Sequence, residues 1–265
     1  MQGNGNERLR REAIWAARKE ILNRACTRLL QFDVPFFLWK GVDFAFSLYE
    51  DPAERFMSDI DLLVHENYAG MASSLLVSGG FRRYSPGSGL FTSGIIGETK
   101  FSAGGFLLEL HTHPLYHPSV LPGRIPPVSM LTPERKTGGY PAPGWAETAL
   151  YTLINHADST EISAWQERDI QLLSAKLDDA GWEKLAFLSV RSGWGERIAS
   201  VLLKSGGDPP EKVVDVLNAN RYKRGTRSEN GTLAALKNMG GWQKAAFGAA
   251  VFYRALTGRK PGREG

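Results

Sequence analysis

Cysteine is almost missing from this chain. Cys26 stands alone among 265 residues, which excludes a disulfide framework and any zinc site built from several cysteines. A reducing compartment suits such a chain, and the expected location is the cytoplasm. Long apolar runs are missing too. The longest, Ala245 to Leu256, falls well short of the roughly 18 residues that span a bilayer, and Arg254 interrupts it. The N-terminal stretch is charged and helical in pattern, without the apolar segment of a signal peptide. No membrane partner is expected, and no internal repeat is visible.

What is present is ordinary in bulk and uneven in placement. Apolar residues make up 42% of the chain, enough to bury a core, and the length allows one large domain or two intimate ones. The net charge of +4 conceals two unlike parts. Residues 1–183 carry 17 lysines and arginines against 22 acids, whereas residues 184–265 carry 15 against 6. A basic C-terminal third can face a polyanion or simply offset an acidic remainder. Charge alone does not separate nucleic acid, nucleotide and acidic protein as partners.

Apolar residues at three- and four-residue steps predict a helix over residues 7–31. Val34 to Trp39 reads as a buried strand. Lys40-Gly41 ends it, and a helix follows from Val42 to Tyr49 until Asp51-Pro52 breaks it. Strands are expected at 60–64, 81–84, 98–101 and 106–111, with a short β-like piece at 90–93 and a helix over 68–78. The proline-rich stretch 114–143 shows little periodicity and reads as a long surface connection. Helices then follow at 145–157, 163–178, 182–192, 194–204, 209–219 and 231–256, with a loop at 225–231. The expected fold class is α+β: a small mixed sheet flanked by helices in residues 1–130, then an all-helical part in residues 131–265.

The segment Ser58-Asp59-Ile60-Asp61-Leu62-Leu63-Val64 carries the clearest chemical signal. Side chains two apart on a strand share a face, so Asp59 and Asp61 point the same way. Two adjacent anions repel unless a cation sits between them. Oxygen ligands on one face suit Mg²⁺, which takes one or two carboxylates plus substrate phosphates. The bland reading is a solvated strand end. Upstream, Lys40-Gly41 stands where a strand turns into a helix. Such a turn presents free N–H groups to an anion, and it is equally an ordinary connection with an exposed lysine. Downstream, Glu109 sits in the apolar run FLLELH. It either joins the aspartates as a third carboxylate or pairs with an arginine on an outward face. Arg55 can reach a phosphate or pair with Asp51 or Glu54. Ser58 can orient a carboxylate or phosphate, or cap the strand.

The histidines admit a second metal reading, in which His111, His113 and His117 join Glu109 in a zinc or manganese cluster. The favoured reading has His111 orienting Glu109 or packing beside it. His156 falls on an apolar helix, where a histidine is usually a core residue. Asp169 contacts an acceptor or base, or pins the helical part to the sheet, with the pin favoured. Trp145, Trp165, Trp182, Trp194 and Trp242 fall at apolar helical positions and read as core rather than as stacking platforms. The basic run Arg221, Lys223, Arg224 and Arg227 is a nucleic-acid candidate or a solvated loop.

Taken together, Lys40-Gly41, Tyr49, Arg55, Ser58 to Val64 and Glu109-Leu110-His111 resemble the uncharacterised bacterial nucleotidyltransferase family of the polymerase-beta-like superfamily. That superfamily is marked by a Gly-containing turn, a helix, Asp-x-Asp on a strand and a third carboxylate on a later strand. The usual Gly-Ser is Lys-Gly here. The stretch with His156, Trp165 and Asp169 resembles the family's helical part, so the resemblance covers about residues 34–180.

The resemblance implies a nucleotidyltransferase core and a two-metal reaction. Asp59, Asp61 and Glu109 would hold two Mg²⁺ ions, with Mn²⁺ as the alternative, while Lys40, Gly41, Arg55 and Ser58 would bind the nucleotide. His111, His156 and Asp169 would support the site or meet the acceptor. The expected activity is transfer of an NMP, AMP from ATP being favoured, to a hydroxyl of a small molecule or peptide, with release of pyrophosphate. The alternatives are transfer to tRNA or protein, and a catalytically silent nucleotide-binding module.

Overall fold

The computed structural model describes residues 3–84, 97–115, 128, 131–157 and 161–219. The strand piece expected at 90–93, His117, the basic run at 221–227, the loop at 225–231, the helix at 231–256 and Trp242 lie outside the described residues.

Helix α1 (Gly3–Leu30) leads into strand β1 (Phe36–Trp39), and helix α2 (Lys40–Ser47) follows without a break. A short 3₁₀ turn at Pro52–Glu54, capped by the Asp51 side chain, passes the chain to β2 (Asp59–Val64). Helix α3 (Ala69–Ser78), β3 (Arg82–Tyr84), β4 (Glu98–Ala103) and β5 (Phe106–His111) complete the first unit. The sheet order is β1-β2-β5-β4-β3. Strands β2 and β5 run parallel at its centre, and the other neighbours are antiparallel. Gly104 and Gly105 close the β4–β5 hairpin with φ of +56° and +82°, the left-handed pair that a tight two-residue hairpin requires.

Strand alternation gives the sheet two different faces. One face carries Leu38, Ile60, Leu62, Phe101, Leu108 and Leu110. All are buried with Leu22 and Leu29 of α1 and Leu76 of α3. The other face carries Phe37, Trp39 and Leu63, which join a second core with the C-terminal helices. Those helices are α4 (Trp145–His156), α5 (Ala164–Ser174), α6 (Asp179–Arg191), α7 (Gly195–Lys204) and α8 (Glu211–Ala219). The result is the expected α+β arrangement, a five-stranded mixed sheet followed by helices. No helix among the described residues is long and apolar enough to cross a membrane.

The stretch read as a featureless connection contains a hairpin, β6 (Arg135–Thr137) and β7 (Tyr140–Ala142). Its turn is Gly138-Gly139, again with positive φ at both residues. Proline density concealed it, since proline cannot donate to a ladder and ordinarily argues against a strand; Pro141 is tolerated at an edge. The hairpin packs on the first unit rather than only on the helices. Tyr140 lies 6.1 Å from the Phe36 ring and donates to Asn23. Arg135 forms a buried ion pair with Asp43 of α2, donates to Thr148 of α4 and stacks on Trp145 at 3.8 Å. One guanidinium therefore ties the hairpin, α2 and α4 together.

Candidate functional site

The parallel β2–β5 ladder sets Asp61 directly opposite Glu109, with Leu63 opposite His111. On the other side of β2, Asp61 pairs with Trp39 at the end of β1, which brings Lys40 alongside. On β4, Lys100 faces Glu109 and Glu98 faces His111. Asp59, two residues before Asp61, points to the same face. The expected three carboxylates are thus brought together by register alone. They line a cavity of about 540 Å³ beside the start of α2 and beneath α4 and α5.

Charges alternate across this face. Lys100 bonds Glu109 and, at 2.6 Å, Glu98. His111 Nε2 lies 2.7 Å from Asp61 Oδ1 and 3.6 Å from Glu109 Oε2. Lys40 Nζ is 3.7 Å from Asp61 Oδ1. The ligand atoms of Asp61, Glu109 and His111 lie within 4.8 Å of one another, and all three residues are buried. Burial pushes the Asp61 carboxyl up, but Lys40 and His111 outweigh it and hold it below the usual range. Burial likewise raises Glu109, which His111 and Lys100 bring down. Asp59 has less relief. Burial and the charges of Asp61 and Glu109 push it up to about 6, against weaker opposition from a Ser58 hydrogen bond and the charge of Lys40. His111 goes up despite burial and Lys40, because both carboxylates favour its cationic form. Its Nδ1 is buried without a hydrogen-bond partner.

Lys40 sits at φ +48°, a left-handed conformation that favours glycine. Space at Gly41 is tight: a Cβ there would lie 3.1 Å from Met57 Cγ. Trp39, just before the turn, is locked by a hydrogen bond to the Pro114 carbonyl and by an edge-on contact with Tyr151 of α4 at 5.3 Å. The turn is therefore held rigidly from behind.

Several expectations need correction. Arg55 pairs with neither Asp51 nor Glu54; its partner is Asp169. Nε donates to both Asp169 oxygens at 2.9 and 3.0 Å, Nη2 to Asp169 at 2.6 Å, and Nη1 to the Phe56 carbonyl. Tyr49 donates to the same carboxylate at 2.7 Å. Asp169 accordingly serves as the pin between sheet and helices. The partner of Glu109 is Lys100 rather than an arginine. The cluster around Glu109 recruits Asp61, not His113, whose Nδ1 turns to the Thr112 carbonyl. Trp182 and Trp194 are core, but Trp165 is exposed on the cavity wall, and Trp145 is only half-buried beneath Arg135. His156 is buried at the end of α4, where it lines the cavity with its pKa lowered by burial.

Sequence reasoning passed over Lys100, because the expected strand at 98–101 did not reveal its register with Glu109, and it passed over the Arg55–Asp169 pair, whose members are 114 residues apart. The faint signal for Lys100 was its place two residues after Glu98 in a strand facing Glu109.

The family described as uncharacterised nucleotidyltransferase matches residues 8–204. No curated protein matches the chain. Among solved structures, the solution structure of the antibiotic-resistance factor ANT(2'')-Ia is similar over 73% of this chain and 99% of that one, at 14% identity and a TM-score of 0.48.

Proposed function

The chain belongs to the uncharacterised nucleotidyltransferase family, and on that premise we propose that it transfers a nucleoside monophosphate, AMP from ATP in the favoured case, to a hydroxyl of a small molecule or peptide. The observation that carries this reading is the register of the central strands. It sets Asp61 opposite Glu109, with Asp59 on the same face, at the floor of a cavity that begins at the Lys40-Gly41 turn. The donor set fits a hard divalent cation: buried carboxylate oxygens that repel one another, with Asp59 raised to about 6 by burial and by the charges of Asp61 and Glu109. Asp59, Asp61 and Glu109 would hold two Mg²⁺ ions, with Mn²⁺ as the alternative. When bound, such ions neutralise phosphate charge and stabilise the attacking and leaving oxygens of an in-line displacement.

The residues of the chain do the rest by positioning. Lys40, whose side chain is 38% exposed, and the free N–H groups opening α2 take the triphosphate. Ser58 steadies Asp59. Lys100 and His111 keep Glu109 ionised, so its carboxylate can hold a cation and accept the proton of the acceptor's hydroxyl. The acceptor oxygen bonds to the α-phosphorus, the bond from that phosphorus to the pyrophosphate oxygen breaks, and pyrophosphate leaves. Arg55 and Asp169 hold the helical wall over the sheet. An RNA or protein acceptor finds support only in the basic charge of residues 184–265. The intact carboxylates weigh against a silent module.

Incubation with each NTP labelled at the α-phosphate, Mg²⁺ and a cell extract tests the reading. The expected result is one labelled acceptor, stoichiometric pyrophosphate and no label with the Asp59→Ala plus Asp61→Ala variant. A wild-type protein that binds no NTP with Mg²⁺ or Mn²⁺ overturns it.

A further inference from the structure

Two large aromatic side chains on the cavity wall have no packing explanation. Trp165 is 45% exposed and Phe56 is 68% exposed, whereas Trp182 and Trp194 on the neighbouring helices are buried. Both line the cavity whose floor holds the carboxylates. Aromatic faces left open in a concave site are poised to be covered by a ligand.

Arg55 fixes the relation between them. Its guanidinium bonds the Phe56 carbonyl on one side and Asp169 on the other. Asp169 lies four residues after Trp165 on α5, so the two share a helix face. The N-terminus of α5 is itself anchored by a reciprocal cap between Ser163 and Gln166. A single bridge therefore holds both the backbone of Phe56 and the helix that carries Trp165. The bridge also adjoins the phosphate end. Arg55 Nη1 stands 3.8 Å from where a Cβ on Gly41 would be. The aromatic pair is thus one guanidinium away from the Lys40-Gly41 turn, in the same cavity.

We propose that Trp165 and Phe56 form the nucleobase subsite, stacking on the planar base of the nucleotide whose triphosphate rests on the Lys40-Gly41 turn. The inference rests on the nucleotidyl-transfer reading and adds the place of the base. Arg55 and Asp169 are positioning residues here, because they set the slot without touching the base. Stacking accepts any base, and the Gln166 and Asn155 amides on the same wall offer groups to its edge.

The test compares Mg²⁺–ATP with Mg²⁺–tripolyphosphate, which keeps the phosphates and lacks the base. Equilibrium titrations of the full chain use wild type, Trp165→Ala, Trp165→Phe and Phe56→Ala. Trp165→Ala should weaken ATP binding about tenfold, a typical stacking loss. Phe56→Ala should weaken it less, and Trp165→Phe should recover most of the affinity. Tripolyphosphate should bind all four proteins equally. ATP binding unchanged in Trp165→Ala and Phe56→Ala would overturn the subsite, leaving the cavity's aromatics to the acceptor and the nucleotidyl-transfer reading intact. Equal losses for ATP and tripolyphosphate in Trp165→Ala and Trp165→Phe would also overturn it. A wild type that binds neither ligand would overturn the underlying reading itself.

Discussion

From the same two central strands, Ile60, Leu62, Leu108 and Leu110 are shut away beneath α1 and α3, while Asp59, Asp61 and Glu109 face the cavity on the other side. The two faces do opposite things energetically. The apolar face removes hydrocarbon from water and stabilises the fold roughly in proportion to area. The charged face returns little: buried ion pairs seldom repay their desolvation, and Asp59, raised to about 6 by burial and by its acidic neighbours, shows that cost. A period of two lets one strand hold a core and a reactive site without either intruding on the other.

Paired substitutions on neighbouring residues would break that division most sharply. Asp61→Asn should lower nucleotidyl transfer by at least about 10²–10³-fold, the scale of losing one preorganised charged group, while the melting temperature falls less than in a core truncation. Leu62→Ala, one residue on, should do the reverse. It should cost about 2–5 kcal/mol of stability in a denaturant titration, with turnover per folded molecule unchanged. If both variants lost stability and activity alike, the two faces would not be separable.

A smaller effect is expected at Lys40. Its left-handed backbone carries a strain of about 1–2 kcal/mol for a residue with a Cβ. Lys40→Gly relieves that strain while removing the ammonium beside Asp61. Stability should therefore hold within about 1 kcal/mol, while the affinity for Mg²⁺–tripolyphosphate falls; a marked loss of stability would show the lysine to be a structural pin.

The smallest effect concerns pH. Asp59 has a folded-state pKa of about 6 against an ordinary 3.8. Its ionised form thus disfavours the folded state above that range, and the penalty disappears as pH falls below the ordinary value. Without metal, Asp59→Asn should raise the melting temperature at about pH 7.5 and lose that advantage near about pH 4. Added Mg²⁺ should stabilise wild type more than the variant.

The apolar face was the legible one. Strands β1, β2 and β5 show as apolar runs, and the alternation Asp59-Ile60-Asp61 already placed two carboxylates on one face. Glu109 stood out because an acid in FLLELH demands a reason. What stayed hidden depends on chain segments meeting in space. The bonds of Arg55 and Tyr49 to Asp169 join residues more than a hundred positions apart, and local sequence favoured the nearer acids. Lys100 became significant only through its register with Glu109. Helical periodicity assigned Trp165 to the core, since periodicity reports which face a residue takes and not whether a neighbour covers it. The Gly138-Gly139 hairpin was masked by the surrounding prolines. The usual Gly-Ser and this chain's Lys-Gly differ at a position whose left-handed backbone no spacing rule reveals.

Titration of the full chain with ATP, with and without Mg²⁺, in wild type and in the Asp59→Ala plus Asp61→Ala variant, bears most directly on the charged face. Saturable, Mg²⁺-dependent binding in wild type that vanishes in the double variant, with the variant still folded by circular dichroism, is the expected result. Equal ATP binding by both proteins, or none by wild type with either Mg²⁺ or Mn²⁺, would contradict it.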